Sequence, residues 1–253
     1  VTALKTDAEI LAMIPSCRLA ADTLAMIARE LRVGMSTLEI NDRCHEFITK
    51  AGAIPAPLNY RGFPKSVCTS INEVVCHGIP RVDEILKEGD IINVDITTIL
   101  HGYHGDVSAT FAVGRVSERA QRLVDITRQC LEAGIAAVRP GARVGDIGYA
   151  IQSLAEESGF SVVREYVGHG IGKLFHEDLQ IPHYGQRNQG VLLQPGMVFT
   201  IEPMINAGRW RTKLLSDGWT AVTADRSLSA QFEHTIAIMN TGEVKILTTA
   251  SNL

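Results

Sequence analysis

The chain repeats itself at one fixed offset. LRVG, ending at Gly34, answers VRPG, ending at Gly141; Gly52 answers Gly159; and EGDIINVD from Glu88 to Asp95 answers PGMVFTIE from Pro195 to Glu202, each pair 107 residues apart. Matches at a single long offset indicate two copies of one supersecondary unit packed against each other. The folds open to such a chain are therefore pseudo-two-fold ones, with repeats at about residues 6–113 and 114–248.

Both copies read with the same order of elements. Thr6 with Glu9, and Ser36 with Glu39, have the S/T-x-x-E spacing of a capping box, in which hydroxyl and carboxylate satisfy each other's backbone N–H groups. They open two segments of helical period that stop near Gly34 and Gly52. In the second copy one helix is expected from about Ser117 to Pro140-Gly141 and another from about Val144 to Gly159. Pro15, with no N–H to give, should kink the first helix or delay its start. Strand-like runs follow each helix pair: Ile91 to Ile99 and Tyr103 to Val113, then Met197 to Ile201 and Phe232 to Met239. The expectation is one α/β (α+β) domain over residues 1–253, built from duplicated ααββ halves around an antiparallel sheet.

Alternation along the strands locates the charges. Ile92, Val94 and Ile96 point one way and Asn93, Asp95 and Thr97 the other, while Asp106, Ser108 and Thr110 oppose Val107, Ala109 and Phe111. If the turn near Leu100 to Tyr103 has an even number of residues, Asp95 and Asp106 share a face, opposite or diagonal. Glu202 repeats Asp95 at the offset, and Glu233 begins the last strand as Asp106 begins its own, although Glu233 arrives 20 residues late. Four carboxylates at one centre repel, and one shared proton does not relieve them; cations do. His169, set among the glycines of VGHGIG, adds a nitrogen where backbone and metal can approach closely. GHGIGK lacks the Ser/Thr and glycine spacing of a phosphate-binding loop, and His176-Glu177 is not followed by the second histidine of a zinc helix. The oxygen-rich donor set favours Co, Mn, Fe or Zn over a thiolate site. Two such ions about 3.5 Å apart would turn a bridging water into a hydroxide and polarise a carbonyl, which is machinery for amide hydrolysis.

Composition removes other classes. With 45% hydrophobic residues the 253-residue chain can bury a substantial core, and a net charge of -4 gives no field for stable nucleic-acid binding. Five cysteines (Cys17, Cys44, Cys68, Cys76, Cys130) form no C-x-x-C pair, which points to a reducing compartment. No signal-peptide pattern is seen and no window is expected to approach a membrane span, so a soluble cytoplasmic location is expected.

VCHGIP around His77, DI then HGD at Asp95 and Asp106, GHGIG, FTIEP and QFEHT occur in order over nearly the whole chain, and together they resemble the type I bacterial methionine aminopeptidases. The resemblance implies the pita-bread fold, and removal of the initiator methionine from nascent proteins whose next residue is small. It implies that Asp106 and Glu233 bridge two divalent ions, with Asp95 on one, His169 and Glu202 on the other, and Glu202 as proton shuttle. It further implies that His77 binds the scissile amide region and His176 stabilises the tetrahedral intermediate. Tyr60, Phe63, Cys68, Phe175 and Trp219 would line the methionine pocket, with Phe63 and Pro57 departing from residues often found at those places. A monovalent cation, Na or K, would lie near Asn72, Val74 and Ser229. Nascent chains and a transient ribosome contact are the implied partners, with a monomeric enzyme. Proline-specific relatives usually carry a large N-terminal domain and type II enzymes a helical insertion, neither of which is expected here. A catalytically dead binding module of the same fold would have lost metal ligands; all five are in place. The other histidines, His45, His101, His104, His183 and His234, read as structural.

Overall fold

The computed structural model describes residues 4–251. Helix α1 (Asp7–Glu30) starts where its cap dictates: the Thr6 hydroxyl accepts the Glu9 N–H and the Glu9 carboxylate accepts the Thr6 N–H. Pro15 lies inside this helix and does not delay its start. Helix α2 (Thr37–Lys50) has only half of the expected box, because the Glu39 carboxylate is drawn to Arg32 and Arg43 instead of the cap N–H. Ser117 caps α3 (Glu118–Ala136), and α4 (Val144–Glu157) follows.

Helices α1 and α3 end before the glycines expected to stop them. The intervening backbone is used elsewhere: Gly34 N–H donates to Leu86 O and Leu86 N–H to Met35 O, at 2.8 and 2.9 Å. In the second copy Gly141 N–H donates to Leu193 O and Leu193 N–H to Ala142 O, at 3.1 and 2.8 Å. Isolated bridges Ser36↔Ile85 and Arg143↔Leu192 extend both contacts. Every one of these positions has its counterpart 107 residues on, so the duplication reaches into the connecting segments as well as the helices and strands.

The first copy's long hairpin pairs the Asp95 strand (Ile91–Leu100) with the Asp106 strand (Tyr103–Ala112). Its turn is two residues, His101 and Gly102, both with positive φ (53° and 79°), the twist that suits right-handed strands. Cys68–Ile71 and Ile54–Pro55 pair with the other edge of the Asp95 strand. The second copy forms a five-stranded antiparallel sheet in the order Val244–Ile246, His234–Ile238, Val198–Ile201, Gly168–Gly170, Glu177–Ile181. The residues that delay Glu233 include the strands Thr212–Leu214 and Ala221–Thr223, and the latter pairs back onto Val74–Cys76 of the first copy.

Each copy keeps an apolar core, Ile27, Ile40, Ile48, Ile92, Val94 and Ile96 in one, and Leu123, Ile147, Ile151, Phe199, Ile201 and Ile236 in the other. Between them two smaller apolar clusters join the copies, Ile10, Met13 and Cys17 with Ile171 and Val198, and Val75 and Cys76 with Val163 and Met204, and they flank a polar seam. Glu233 N–H donates to Ser108 O at 2.9 Å, Asp106 N–H donates to the Thr235 hydroxyl, and that hydroxyl donates to Asp106 O at 2.8 Å. The Asn93 amide and the Thr110 hydroxyl both donate to Gln231 O across the same seam. The carboxylates sit on this seam because it is where the two polar strand faces meet.

By length and hydropathy (mean 1.5), α1 is apolar enough to cross a membrane, which corrects the expectation that no segment approaches such a span. Half of that stretch is buried within the fold, with Ile10, Met13, Cys17, Leu24 and Ile27 facing inward, so its apolar content is that of a core helix. Its backbone lies directly on the hairpin, where Cys17 occupies the space a side chain at Gly105 would need.

Candidate metal centre

The two-residue turn sets the hairpin register so that Asp95 pairs with Ser108 and Thr97 with Asp106. Asp95 and Asp106 are thus diagonal neighbours on one face, while Val94 and Ile96 fill the core beneath. The Thr97 hydroxyl donates to Asp106 Oδ1 at 2.7 Å. Asp106 and Glu233 are 3% and 2% exposed.

His169 is oriented on both sides of its ring. Its backbone N–H donates to the Thr200 hydroxyl at 2.9 Å, and its Nδ1 lies 3.0 Å from Gly170 O. A carbonyl only accepts, so Nδ1 carries a proton and Nε2 of the neutral ring presents a lone pair. That Nε2 lies 3.6 Å from both Asp106 Oδ2 and Glu202 Oε1. Glu202 is fixed in turn: Thr200 donates to its Oε1 at 2.8 Å, the Gln231 amide to its Oε2 at 3.3 Å, and its N–H donates to His183 Nε2 at 3.0 Å.

The electrostatics of this cluster call for positive charge. Burial first, and the neighbouring carboxylates second, push the Asp95 and Glu233 carboxyls well above their ordinary range. Burial lifts Glu202 to about 7, against the opposing pull of His169. Burial lowers the His169 imidazole, but the adjacent Asp106 and Glu202 outweigh it and the net shift is upward. Among the described residues no lysine or arginine forms an ion pair with Asp95, Asp106, Glu202 or Glu233. One ligand atom each from Asp106, His169 and Glu233 falls within a 4.8 Å span, and a lone pair aimed at two carboxylate oxygens is tolerable only with a proton or a cation between them. The donor set fits hard divalent ions.

The glycines around His169 do let backbone approach closely, as the sequence suggests. A side chain at Gly168 would strike the Thr200 carbonyl, and one at Gly170 would crowd Glu177. At Gly172 it would displace Lys5 and Glu177, whose ion pair (2.7 Å) is nearly buried. These glycines admit neighbouring strands and a salt bridge; none of the close atoms belongs to the carboxylate cluster.

Above the cluster opens a cavity of about 390 Å³. Phe63 and Trp219 meet edge to face at 5.2 Å on its wall, and Tyr60 packs on Phe175 at 4.8 Å. Cys68 stands beside Asp95 in register. Pro57 lines the rim. His77, with a left-handed φ of 57°, is held between Tyr166 and Trp219 at 5.6 and 6.3 Å, and burial lowers its pKa. His176 lies at the exposed mouth, 4.1 Å from the His169 ring, with Tyr60 Oη 2.9 Å from its Nδ1. Asn72 O accepts the Ser229 N–H at 2.8 Å, and Val74 begins the next strand, so these three also lie close together.

Several contributors were not singled out in the sequence. Thr97 and Thr200 each stand two residues from an acid on the same strand face, a signal available from alternation alone. Gln231, two residues before Glu233 in QFEHT, carries the same signal, whereas Tyr166 and Met204 line the cavity without a local pattern to mark them. His183 reaches Glu202 from a separate loop. The remaining histidines make structural contacts: His45 with Ser66, His104 with Gly172 O, His234 with Thr248, and His101 in the hairpin turn. Burial raises the thiols of Cys17, Cys44, Cys68 and Cys76, which removes them as nucleophiles.

The profile of metallopeptidase family M24 matches residues 12–240 of this chain. Methionine aminopeptidase A of Synechocystis sp. is 59% identical over 240 residues, covering 95% of this chain and 94% of that protein. The crystal structure of methionine aminopeptidase from Rickettsia prowazekii is similar with a TM-score of 0.96 at 51% identity, covering 98% of this chain and all of that one (100%). The Thermotoga maritima methionine aminopeptidase gives a TM-score of 0.95 at 40% identity over 98% of this chain and 100% of that one.

Proposed function

Since the chain belongs to metallopeptidase family M24, we propose that Asp95, Asp106, His169, Glu202 and Glu233 hold two divalent ions beneath a pocket for an N-terminal methionine. Its activity is that of a methionine aminopeptidase, a metal-dependent hydrolase. The observation that carries the two-ion reading is the convergence of four carboxylates and one imidazole lone pair on a seam where, among the described residues, no lysine or arginine is paired with them.

Asp106 and Glu233, the most enclosed of the acids, lie between the two copies and suit bridging positions; Asp95 would complete one ion's shell, and His169 with Glu202 the other's. When bound, such ions acidify a water and polarise the scissile carbonyl. Glu202, lifted to about 7 by burial and held by Thr200 at Oε1 and Gln231 at Oε2, would carry a proton to the departing amine. His77 and His176 offer imidazole N–H groups to the scissile amide and to the oxygen that gains charge. The unbranched thioether of methionine suits a slot walled by Phe63, Trp219, Tyr60 and Phe175 and floored by Cys68. The same reading has nascent chains with a small second residue as substrates in the cytoplasm, a monomeric enzyme making transient ribosome contacts, Co, Mn, Fe or Zn as the ions, and a sodium or potassium ion near Asn72, Val74 and Ser229.

The test is hydrolysis of Met-Ala-Ser and of an Ala-Pro dipeptide by chelated protein with each divalent ion restored singly. Release of methionine only after metal is restored, and loss of that activity in Asp106→Ala, are expected. Activity surviving full chelation, or cleavage confined to the proline substrate, overturns the reading.

A further inference from the structure

Tyr60 does more than wall the cavity. It sits on a tight loop in which Tyr60 N–H donates to Pro57 O and Phe63 N–H to Tyr60 O, and both of its neighbours, Asn59 and Arg61, hold left-handed φ values of 66° and 49°. Two non-glycine residues in that region are costly, and such strain persists where the surrounding structure over-determines it. The result is a ring stacked on His176 (5.3 Å, 29°), with Phe175 packed against both at 4.8 and 4.4 Å, and a hydroxyl 2.9 Å from His176 Nδ1.

A neutral imidazole has one N–H to place on either nitrogen. His176 Nε2 makes no hydrogen bond among the described residues, so the tautomer is decided at Nδ1, and the partner there is Tyr60. A phenol O–H is a stronger acid than an imidazole N–H and is therefore the better donor of the two. With Tyr60 donating, Nδ1 accepts and the ring proton resides on Nε2. We infer that the Tyr60 hydroxyl is a positioning group that fixes His176 as the Nε2–H tautomer, so that the imidazole meets the substrate oxygen as a donor. This rests on the reading of His176 as a donor to the reacting amide.

Tyr60→Phe separates the hydroxyl from the ring, since the stack and the pocket wall remain. With Mn-restored enzyme and Met-Ala-Ser, kcat should fall roughly tenfold or more while KM stays within about twofold. Nitrogen-15 spectra of the histidine-labelled, metal-free protein should show His176 as the Nε2–H form in the parent and as a mixture of tautomers in Tyr60→Phe. Tyr60→Phe/His176→Ala should be no slower than His176→Ala alone. A slow His176→Ala together with a Tyr60→Phe that keeps the parent's kcat, or an unchanged tautomer in Tyr60→Phe, overturns this inference and leaves the function standing. A His176→Ala enzyme with full kcat overturns the reading of His176 itself and the inference with it.

Discussion

Thr97 and Asp106 face each other as a register pair across the long hairpin, and the Thr97 hydroxyl donates to Asp106 Oδ1 at 2.7 Å. The bond leaves Oδ2 as the oxygen turned toward His169 Nε2, 3.6 Å away. A threonine thus decides which oxygen of a buried acid faces the centre.

Thr97→Val keeps the shape and removes that bond. Groups that orient a ligand typically tune metal affinity by about 10–100-fold when lost. We expect the affinity for Mn to fall by about tenfold in calorimetric titration, with the melting temperature of the metal-free protein within a few degrees of the parent. Unchanged affinity would show that the seam holds Asp106 without Thr97.

Asp106→Asn should raise the melting temperature of the chelated protein. The neighbouring charge at Asp106 helps lift the carboxyls of Asp95 and Glu233, so neutralising it relieves repulsion, while the amide oxygen still accepts from Thr97. A gain of about 1 kcal/mol corresponds to roughly 2–4 °C in a chain of this size. Added metal should stabilise the parent and leave the variant unmoved; a variant that melts lower in chelator contradicts the account of the site as a cluster of unpaired acids.

Lys5→Met should destabilise strongly, by about 3 kcal/mol, because it strands the Glu177 carboxylate in a nearly dry site. Removing both charges in Lys5→Met/Glu177→Leu should recover most of the loss in urea unfolding. Gly172→Ala forces a methyl into the same pair and should cost about 1–3 kcal/mol. If the double variant is as unstable as Lys5→Met, the pair's electrostatics are not the cause.

Asp225 supplies a pH dependence remote from the centre. The backbone N–H of Arg209, then the Ser227 hydroxyl, hold its carboxyl down at about 2. A depressed carboxyl stabilises above its unfolded value of about 4 and loses that contribution as the pH falls toward the folded value. Asp225→Asn should therefore melt below the parent at pH 7, the gap closing between about pH 4 and pH 2. A gap that is constant over that range would show that ionisation of Asp225 contributes nothing.

The acids were legible because two independent rules agree on them. Alternation puts Asp95 and Asp106 on one face, and the internal offset carries Asp95 to Glu202. Helix starts were legible too, since a cap is a local device, as Thr6 and Ser117 show. Helix ends were not: Gly34 and Gly141 bond to Leu86 and Leu193, some fifty residues away, and local periodicity carries no trace of such partners. The glycines of VGHGIG were legible in part: backbone does approach closely at Gly168, where the Thr200 carbonyl lies, but the crowding of Gly170 and Gly172 by Glu177 and Lys5 is something only the folded chain brings about. Tyr166, Met204 and His183 reach the cavity or its acids through tertiary placement alone.

The hydrogen bonds between Ser108 and Glu233, and between Asp106 and Thr235, stitch the two halves together at the acids themselves. Of the five proposed ligands, Asp95 and Asp106 come from the first copy and His169, Glu202 and Glu233 from the second. Neither half alone would supply the full proposed set, so the centre would exist only while the two embrace. Gly62 stands 107 residues before His169, so the imidazole on one flank has no mirror image on the other.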